Sequence, residues 1–198
     1  GLVKKERIIA GEVNEVYDVT TESNQNVIVR ISRQGSQNFE TEERVIRLAL
    51  MAGVPAPKVL LIEQMSSGSE RPTFCVEEKI EGELLTTLMS TLGNDVLKPI
   101  ISESGGILSK IHSITVDNFG HLDGTTSYKT WEDYIFNIVG KIDKIIAAGK
   151  HVGVEPILID RAFKLLRENK KIFQIKEPKL LHGDFSPKHL LVKDNHIA

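Results

Sequence analysis

Two groups of residues in this sequence have the types and spacing to do chemistry. The first is Leu181-His182-Gly183-Asp184-Phe185-Ser186-Pro187-Lys188-His189-Leu190-Leu191-Val192. It brings a carboxylate, an amine and two imidazoles onto a stretch where a Gly-Asp step with a proline behind it breaks regular structure. Leu180 and Leu181 lead in and Leu190 to Val192 form a short apolar run, so the spacing predicts strand, tight loop, strand, with Asp184 and His189 on the loop. Loops held on a rigid scaffold are where chemistry usually sits, and imidazole is a common metal ligand. The second group is Arg30 and Glu42. From Gln37 onward, Phe39, Val45, Ile46, Ala49 and Gly53 fall on one side of a helix, with Glu42 in the middle of that side. A carboxylate centred on an apolar stripe is costly unless it is paired. Arg30, on a strand whose Val27, Val29 and Ile31 share the opposite face, is the partner at hand.

The elements that must position these groups change character along the chain. Arg7 to Ala10, Glu15 to Val19 and Val27 to Ser32 are β-rich, separated by Gly11-Glu12 and by a polar turn over Glu22 to Asn26. The helix from Gln37 stops at Gly53-Val54-Pro55-Ala56-Pro57, where glycine suits a helix end and the prolines forbid continuation. Strands follow at Lys58 to Gln64 and Thr73 to Ile80, with a polar turn between them. After Gly82 helices dominate, and the composition shift there divides the chain into residues 1–81 and 82–198. Glu83 to Ser90 predicts a short helix broken by Gly93-Asn94-Asp95. Ile100, Ser104, Ile107, Leu108, Ile111 and Ile114 mark the next, in which Gly105-Gly106 suggests close packing against another helix. Trp131 to Ala148 reads as one amphipathic helix and Pro156 to Asn169 as another.

Composition narrows the function classes. The 198 residues carry 25 Lys and Arg against 27 Asp and Glu, a net charge of −2, which gives no general electrostatic case for nucleic acid or an anionic membrane. No apolar run reaches the ~20 residues that span a bilayer. Cys75 is the only cysteine, so no internal disulfide forms, as suits a reducing cytoplasm. The same cysteine reads as a small buried hydrophobe.

The loop at His182-Gly183-Asp184 resembles the catalytic loop of the aminoglycoside and choline kinase-like phosphotransferases, small-molecule kinases on a protein-kinase-like fold. Their pattern is His-Gly-Asp, four residues, Asn, then apolar residues. Here His189 stands where Asn is usual, as in branches that modify macrolides or aminoglycosides at the 2'' position. The resemblance extends upstream to a nucleotide-flap loop at Gly11 to Tyr17, the Arg30 strand, Phe39-x-x-Glu42, and a linker at Glu78 to Gly82. It implies an α+β, bilobal protein-kinase-like fold, with an antiparallel β-sheet N-lobe carrying one helix and a mainly helical C-lobe, truncated at its C-terminal end. It also implies transfer of the γ-phosphate of ATP or GTP, with Mg²⁺, to a hydroxyl of an aminoglycoside- or macrolide-like antibiotic or a small metabolite. Asp184 would orient or deprotonate the hydroxyl, and His189 would stand in for the usual metal-holding Asn. Gly11, Asn14, Ile28, Arg30, Glu42, Glu78 (carbonyl), Ile80 (amide) and Leu191 would hold the nucleotide. His182 would brace the loop. The family's next strand, ending in a second metal-binding Asp, does not follow, so the resemblance implies a fragment. The alternative is a non-catalytic, kinase-like nucleotide-binding or scaffolding protein.

Overall fold

The computed structural model describes residues 1–8, 14–32, 38–65 and 71–198, with backbone alone at 138 and 139. Gly11, Gln37 and most of the turn expected after Met65 lie outside the described residues. Two compact units are present: residues 1–114 together with 181–198, and residues 115–180.

The first unit is built on a five-stranded antiparallel sheet in the order β1-β2-β3-β5-β4. Its strands are β1 (Leu2–Ile8), β2 (Glu15–Thr21), β3 (Asn26–Ser32), β4 (Val59–Gln64) and β5 (Thr73–Glu78). The β2–β3 turn falls on the expected polar residues, and Asn24 takes φ 60°, a left-handed conformation that asparagine tolerates. β3 lies inside the sheet, where Arg30 stands opposite Val16 on one side and Cys75 on the other. Pleating therefore presents Arg30, Ser32, Thr73, Cys75 and Glu77 on one face. That face receives α1 (Phe39–Met51), which starts where the Asn38 side chain accepts a hydrogen bond from the Thr41 amide. It ends at Gly53, φ 71°. Phe39 is fully buried.

Beyond the sheet, β6 (Glu83–Leu84) precedes a single turn of helix, α2 (Leu85–Leu88), where one short helix was expected from Glu83 to Ser90. Helix α3 (Asn94–Ser113) begins earlier than expected: Asn94 and Asp95 form its first turn rather than a break, and Pro99 lies inside it. Leu97, Ile100, Ser104, Ile107 and Ile111 are buried at alternating spacings of three and four, which is the anticipated apolar face. The expected close packing at Gly105-Gly106 is not found among the described residues: a Cβ on either would meet none of them within 4 Å. Lys110 on α3 donates to the Gly53 carbonyl at 3.0 Å and so ties the end of α1 to this helix. The chain returns to this unit at Leu181. It forms β9 (Leu191–Lys193) and β10 (His196–Ile197) through a two-residue turn at Asp194 and Asn195, both at positive φ. These strands complete a three-stranded sheet, β10-β9-β6.

The second unit holds a small hairpin, β7 (Phe119–Gly120) with β8 (Ser127–Tyr128), and three helices. The helix expected over Trp131 to Ala148 is two: α4 (Trp131–Val139) and α5 (Ile142–His151). The break follows Gly140, whose low helix propensity ends the first segment. Helix α6 (Pro156–Glu168) starts with proline in its first turn, where no intrahelical donor is lost. Thr115 pairs with Lys179 across the neck of the unit. Among the described residues no helix is long and apolar enough to cross a membrane.

Candidate active site

Arg30 is where the sheet and α1 meet. Its Nη1 donates to Glu42 Oε1 at 2.5 Å and to Glu77 Oε1 at 2.7 Å, and its Nη2 donates to Glu42 Oε2 at 3.1 Å. The pairing of Arg30 with Glu42, inferred from the stripe, is therefore formed. Glu77 was not anticipated. It lies on β5 opposite Ile28, one step diagonal from Arg30, with its side chain 9% exposed against 32% for Glu42. Phe39 supports the group from one side, its ring centre 5.2 Å from Arg30 Cζ. Burial alone would lower the Arg30 pKa, but hydrogen bonds and charge from Glu42 and Glu77 outweigh it, so the guanidinium is held charged. Burial, followed by the charge of Glu77, pushes the Cys75 thiol up to about 12. Cys75 is 1% exposed and inert in the way a buried hydrophobe is.

The loop of the first group is ordered by backbone geometry. Gly183 takes φ +85°, which a residue with a side chain rarely adopts. Pro187–His189 forms a single 3₁₀ turn within the expected loop, and the strand expected at Leu180-Leu181 does not form. The turn is anchored from below: Leu190 is buried and its carbonyl accepts from the Leu85 amide at 2.9 Å. On this turn Lys188 Nζ lies 3.1 Å from Asp184 Oδ2. His189 Nδ1 lies 2.8 Å from the Asp184 carbonyl oxygen and 3.7 Å from Asp184 Oδ2. A carbonyl can only accept, so Nδ1 carries the hydrogen and the neutral ring presents its lone pair at Nε2. His182 packs edge-on to Phe185 and stacks near His189.

Asp184 is exposed, and the hydrogen bond from Lys188, together with the Lys188 charge, holds its carboxyl below the usual range. It is thus a carboxylate at neutral pH. Whatever stability this confers is present above the unfolded-state pKa and lost as pH falls through the lower folded value. Lys188→Met is expected to raise the Asp184 pKa toward its ordinary value in a carboxyl-carbon NMR titration. An unmoved titration would mean that the ion pair does not form in solution. His182 is shifted downward by burial and by His189, so the folded state resists its protonation and loses stability as pH falls through the ordinary histidine range.

The linker and Leu191 come together. Gly82 (φ +155°) sits so close to β9 that a Cβ would approach the Val192 carbonyl oxygen to 2.9 Å and Leu191 Cβ to 3.3 Å. Leu84 pairs with Leu191 across the small sheet. The linker is braced by Lys79 to Asp18 at 2.6 Å and by Glu81 to Lys193 at 2.7 Å. The Glu78 amide donates to the Lys58 carbonyl, and its carboxylate accepts from the Lys58 amide. The amide of half-buried Ile80 makes no hydrogen bond among the described residues. Ile28 is half-buried between Asp18 and Glu77, and Asn14 lies half-buried just before β2. Among the described residues no hydrogen bond or ion pair joins the Arg30 group to the Asp184 loop.

The donor chemistry bears on a metal. Among the described residues no group of three or more His, Cys, Asp or Glu converges as a cation cage would. An imidazole nitrogen such as His189 Nε2 can ligate a metal, but Mg²⁺ prefers oxygen ligands, so imidazole is a less natural ligand for it.

A family model described as the phosphotransferase enzyme family matches residues 6–198. A search of curated proteins returns no sequence match. Among solved structures, a thermostable mutant of aminoglycoside phosphotransferase APH(4)-Ia, in ternary complex with AMP-PNP and hygromycin B, superposes with a TM-score of 0.70 at 18% identity. A putative fructosamine-3-kinase from Haemophilus somnus 129PT superposes with a TM-score of 0.67, also at 18% identity. Each match covers 100% of this chain and 64% of the other, so the chain spans less than two thirds of either neighbour. At this identity the likeness establishes the fold, an α+β arrangement of the kinase-like kind.

Proposed function

Since the chain belongs to the phosphotransferase enzyme family, we propose that it serves the transfer of a γ-phosphate from ATP or GTP to a hydroxyl of a small molecule. The observation that carries this reading is the Asp184 carboxylate, exposed and paired with Lys188 on a loop whose backbone His189 holds through the Asp184 carbonyl. Residues 1–81 would act as the nucleotide-binding lobe and residues 82–198 as a helical lobe carrying the loop.

In this reading the base contacts the Glu78 carbonyl and the Ile80 amide, and lies over Leu191. Arg30, aimed by Glu42, contacts the phosphates. The guanidinium has five N–H donors, and three are engaged by the carboxylates, so among the described residues Nε and one Nη2 hydrogen remain for phosphate oxygens. Asp184 accepts a hydrogen bond from the acceptor hydroxyl and takes its proton as the oxygen attacks. The new O–P bond forms in line as the bond from the γ-phosphorus to the bridging oxygen breaks, and the nucleoside diphosphate leaves. Mg²⁺, when bound, would neutralise phosphate charge, with His189 Nε2 as the residue that holds it. The acceptor is a hydroxylated antibiotic of the aminoglycoside or macrolide kind, or a small metabolite.

Thermal unfolding with and without ATP and Mg²⁺, followed by a screen of hydroxylated acceptors for ADP release, tests this. A ligand bound only by the folded state adds RT ln(1 + [L]/Kd), about 2.7 kcal/mol at a hundredfold excess over Kd. A metal-dependent shift together with ADP release supports the kinase. A shift without turnover on any acceptor favours a nucleotide-binding scaffold, and no shift sinks the nucleotide reading.

A further inference from the structure

We propose that Glu77 is a second positioning residue for the phosphate-binding arginine, fixing Arg30 to the sheet independently of the helix that carries Glu42. The proposal rests on the nucleotide reading above. Both hydrogens of Arg30 Nη1 are taken, one by each carboxylate, at 2.5 and 2.7 Å. With Glu42 also accepting from Nη2 and Phe39 against one face, the plane of the guanidinium is fixed from three directions. The two carboxylates differ in what they are attached to. Glu42 is on α1, a helix docked on one side of the sheet. Glu77 is on β5, an interior strand paired on both sides. Hydrogen bonds in such dry surroundings are stronger than those open to water, and Glu77 is the less exposed of the two.

Arg30 is already paired with Glu42 on the helix, so what Glu77 adds is a second, sheet-borne fixing point for the guanidinium. Glu77 directly precedes Glu78, which places this anchor at the inner end of the proposed base-binding linker.

The test compares ATP, at fixed Mg²⁺, with adenosine as probes of the full chain. Glu77→Met keeps the side-chain volume but offers no acceptor, and leaves Arg30 neutralised by Glu42. Its Kd for ATP is expected to rise roughly tenfold or more, the scale of a misaligned contact, while adenosine binding stays unchanged. Glu77→Gln, which keeps an acceptor oxygen and loses the charge, is expected to restore most of the ATP affinity. If ATP and adenosine weaken alike, or ATP binding does not move, Glu77 is a packing residue and the proposal fails. A measurement on the wild-type chain needs no variant: slow rotation about the Arg30 guanidinium, read as separate ¹⁵N signals for the two Nη groups at low temperature. A single averaged signal overturns the clamp. Wild-type protein that binds neither ATP nor adenosine overturns the nucleotide reading and this inference with it. Wild-type binding with an unmoved Glu77→Met variant overturns this inference alone.

Discussion

Asp184→Ala is expected to lower phosphoryl transfer by roughly two to four orders of magnitude, the usual contribution of a positioned general base, with ATP binding intact. The physical reason is the placement of the group. Its carboxylate is 63% exposed, so alanine removes little packing, and surface substitutions of this kind stay within about 0.5 kcal/mol of wild-type stability. The change therefore isolates chemistry from folding. Steady-state turnover with any acceptor that the wild type phosphorylates, beside a direct ATP titration of the variant, checks both halves. Turnover within a few-fold of wild type would remove Asp184 from the mechanism. Asp184→Asn is the sharper companion, because it keeps the shape and a hydrogen-bond acceptor but is a far weaker base.

The largest effect on stability is expected at Arg30. Arg30→Met removes three charge-assisted hydrogen bonds and leaves Glu77 buried without its cation. Breaking one side of a buried ion pair costs about 3–5 kcal/mol, most of it the penalty of the stranded charge. For a chain of this length that corresponds to a fall in Tm of roughly 6–20 °C. The double variant Arg30→Met/Glu77→Met removes the stranded charge and is expected to recover a large part of the loss, since an apolar pair of similar volume often matches a buried ion pair. Denaturant unfolding of the wild type, the two single variants and the double variant measures the coupling directly. Additive single effects would mean that Arg30 and Glu77 do not depend on each other.

Arg30 and Glu42 were legible in the sequence because their signal is one of contradiction: a carboxylate inside an apolar stripe demands a partner. Glu77 sends no such signal. It sits at the end of a strand whose alternation, Thr73, Cys75, Glu77, mixes polar and apolar residues, and its burial depends on α1 arriving from elsewhere in the chain. The adjacent Glu78 is marked in the sequence by its place in the stretch that resembles the family's linker. The Asp184 loop was readable from Gly-Asp and proline punctuation, and its 3₁₀ turn follows from Pro187. The Lys188 ion pair was less so, since the sequence does not say which way a long surface side chain folds back. Among the helices, the apolar face of α3 was plain. Its start was not, because Asn-Asp after a glycine serves a helix N-terminus as readily as a turn. The division of Trp131 to Ala148 at Gly140 was hidden, since the stripe continues on both sides and only the weak propensity of one glycine marks the break.

The unit that holds both Arg30 and Asp184 is discontinuous, interrupted by residues 115–180. Its small sheet joins Glu83–Leu84 to Leu191–Lys193, more than a hundred positions downstream, with Gly82 pressed against the returning backbone. Contacts so distant along the chain form late, because a long loop must close before they repay its entropy. During synthesis residues 115–180 emerge whole before Leu191–Lys193 can pair with Glu83–Leu84. The stretch proposed as the base-binding linker and the Asp184 loop are thus completed together, so the parts proposed to bind nucleotide and to act on it become competent in one event.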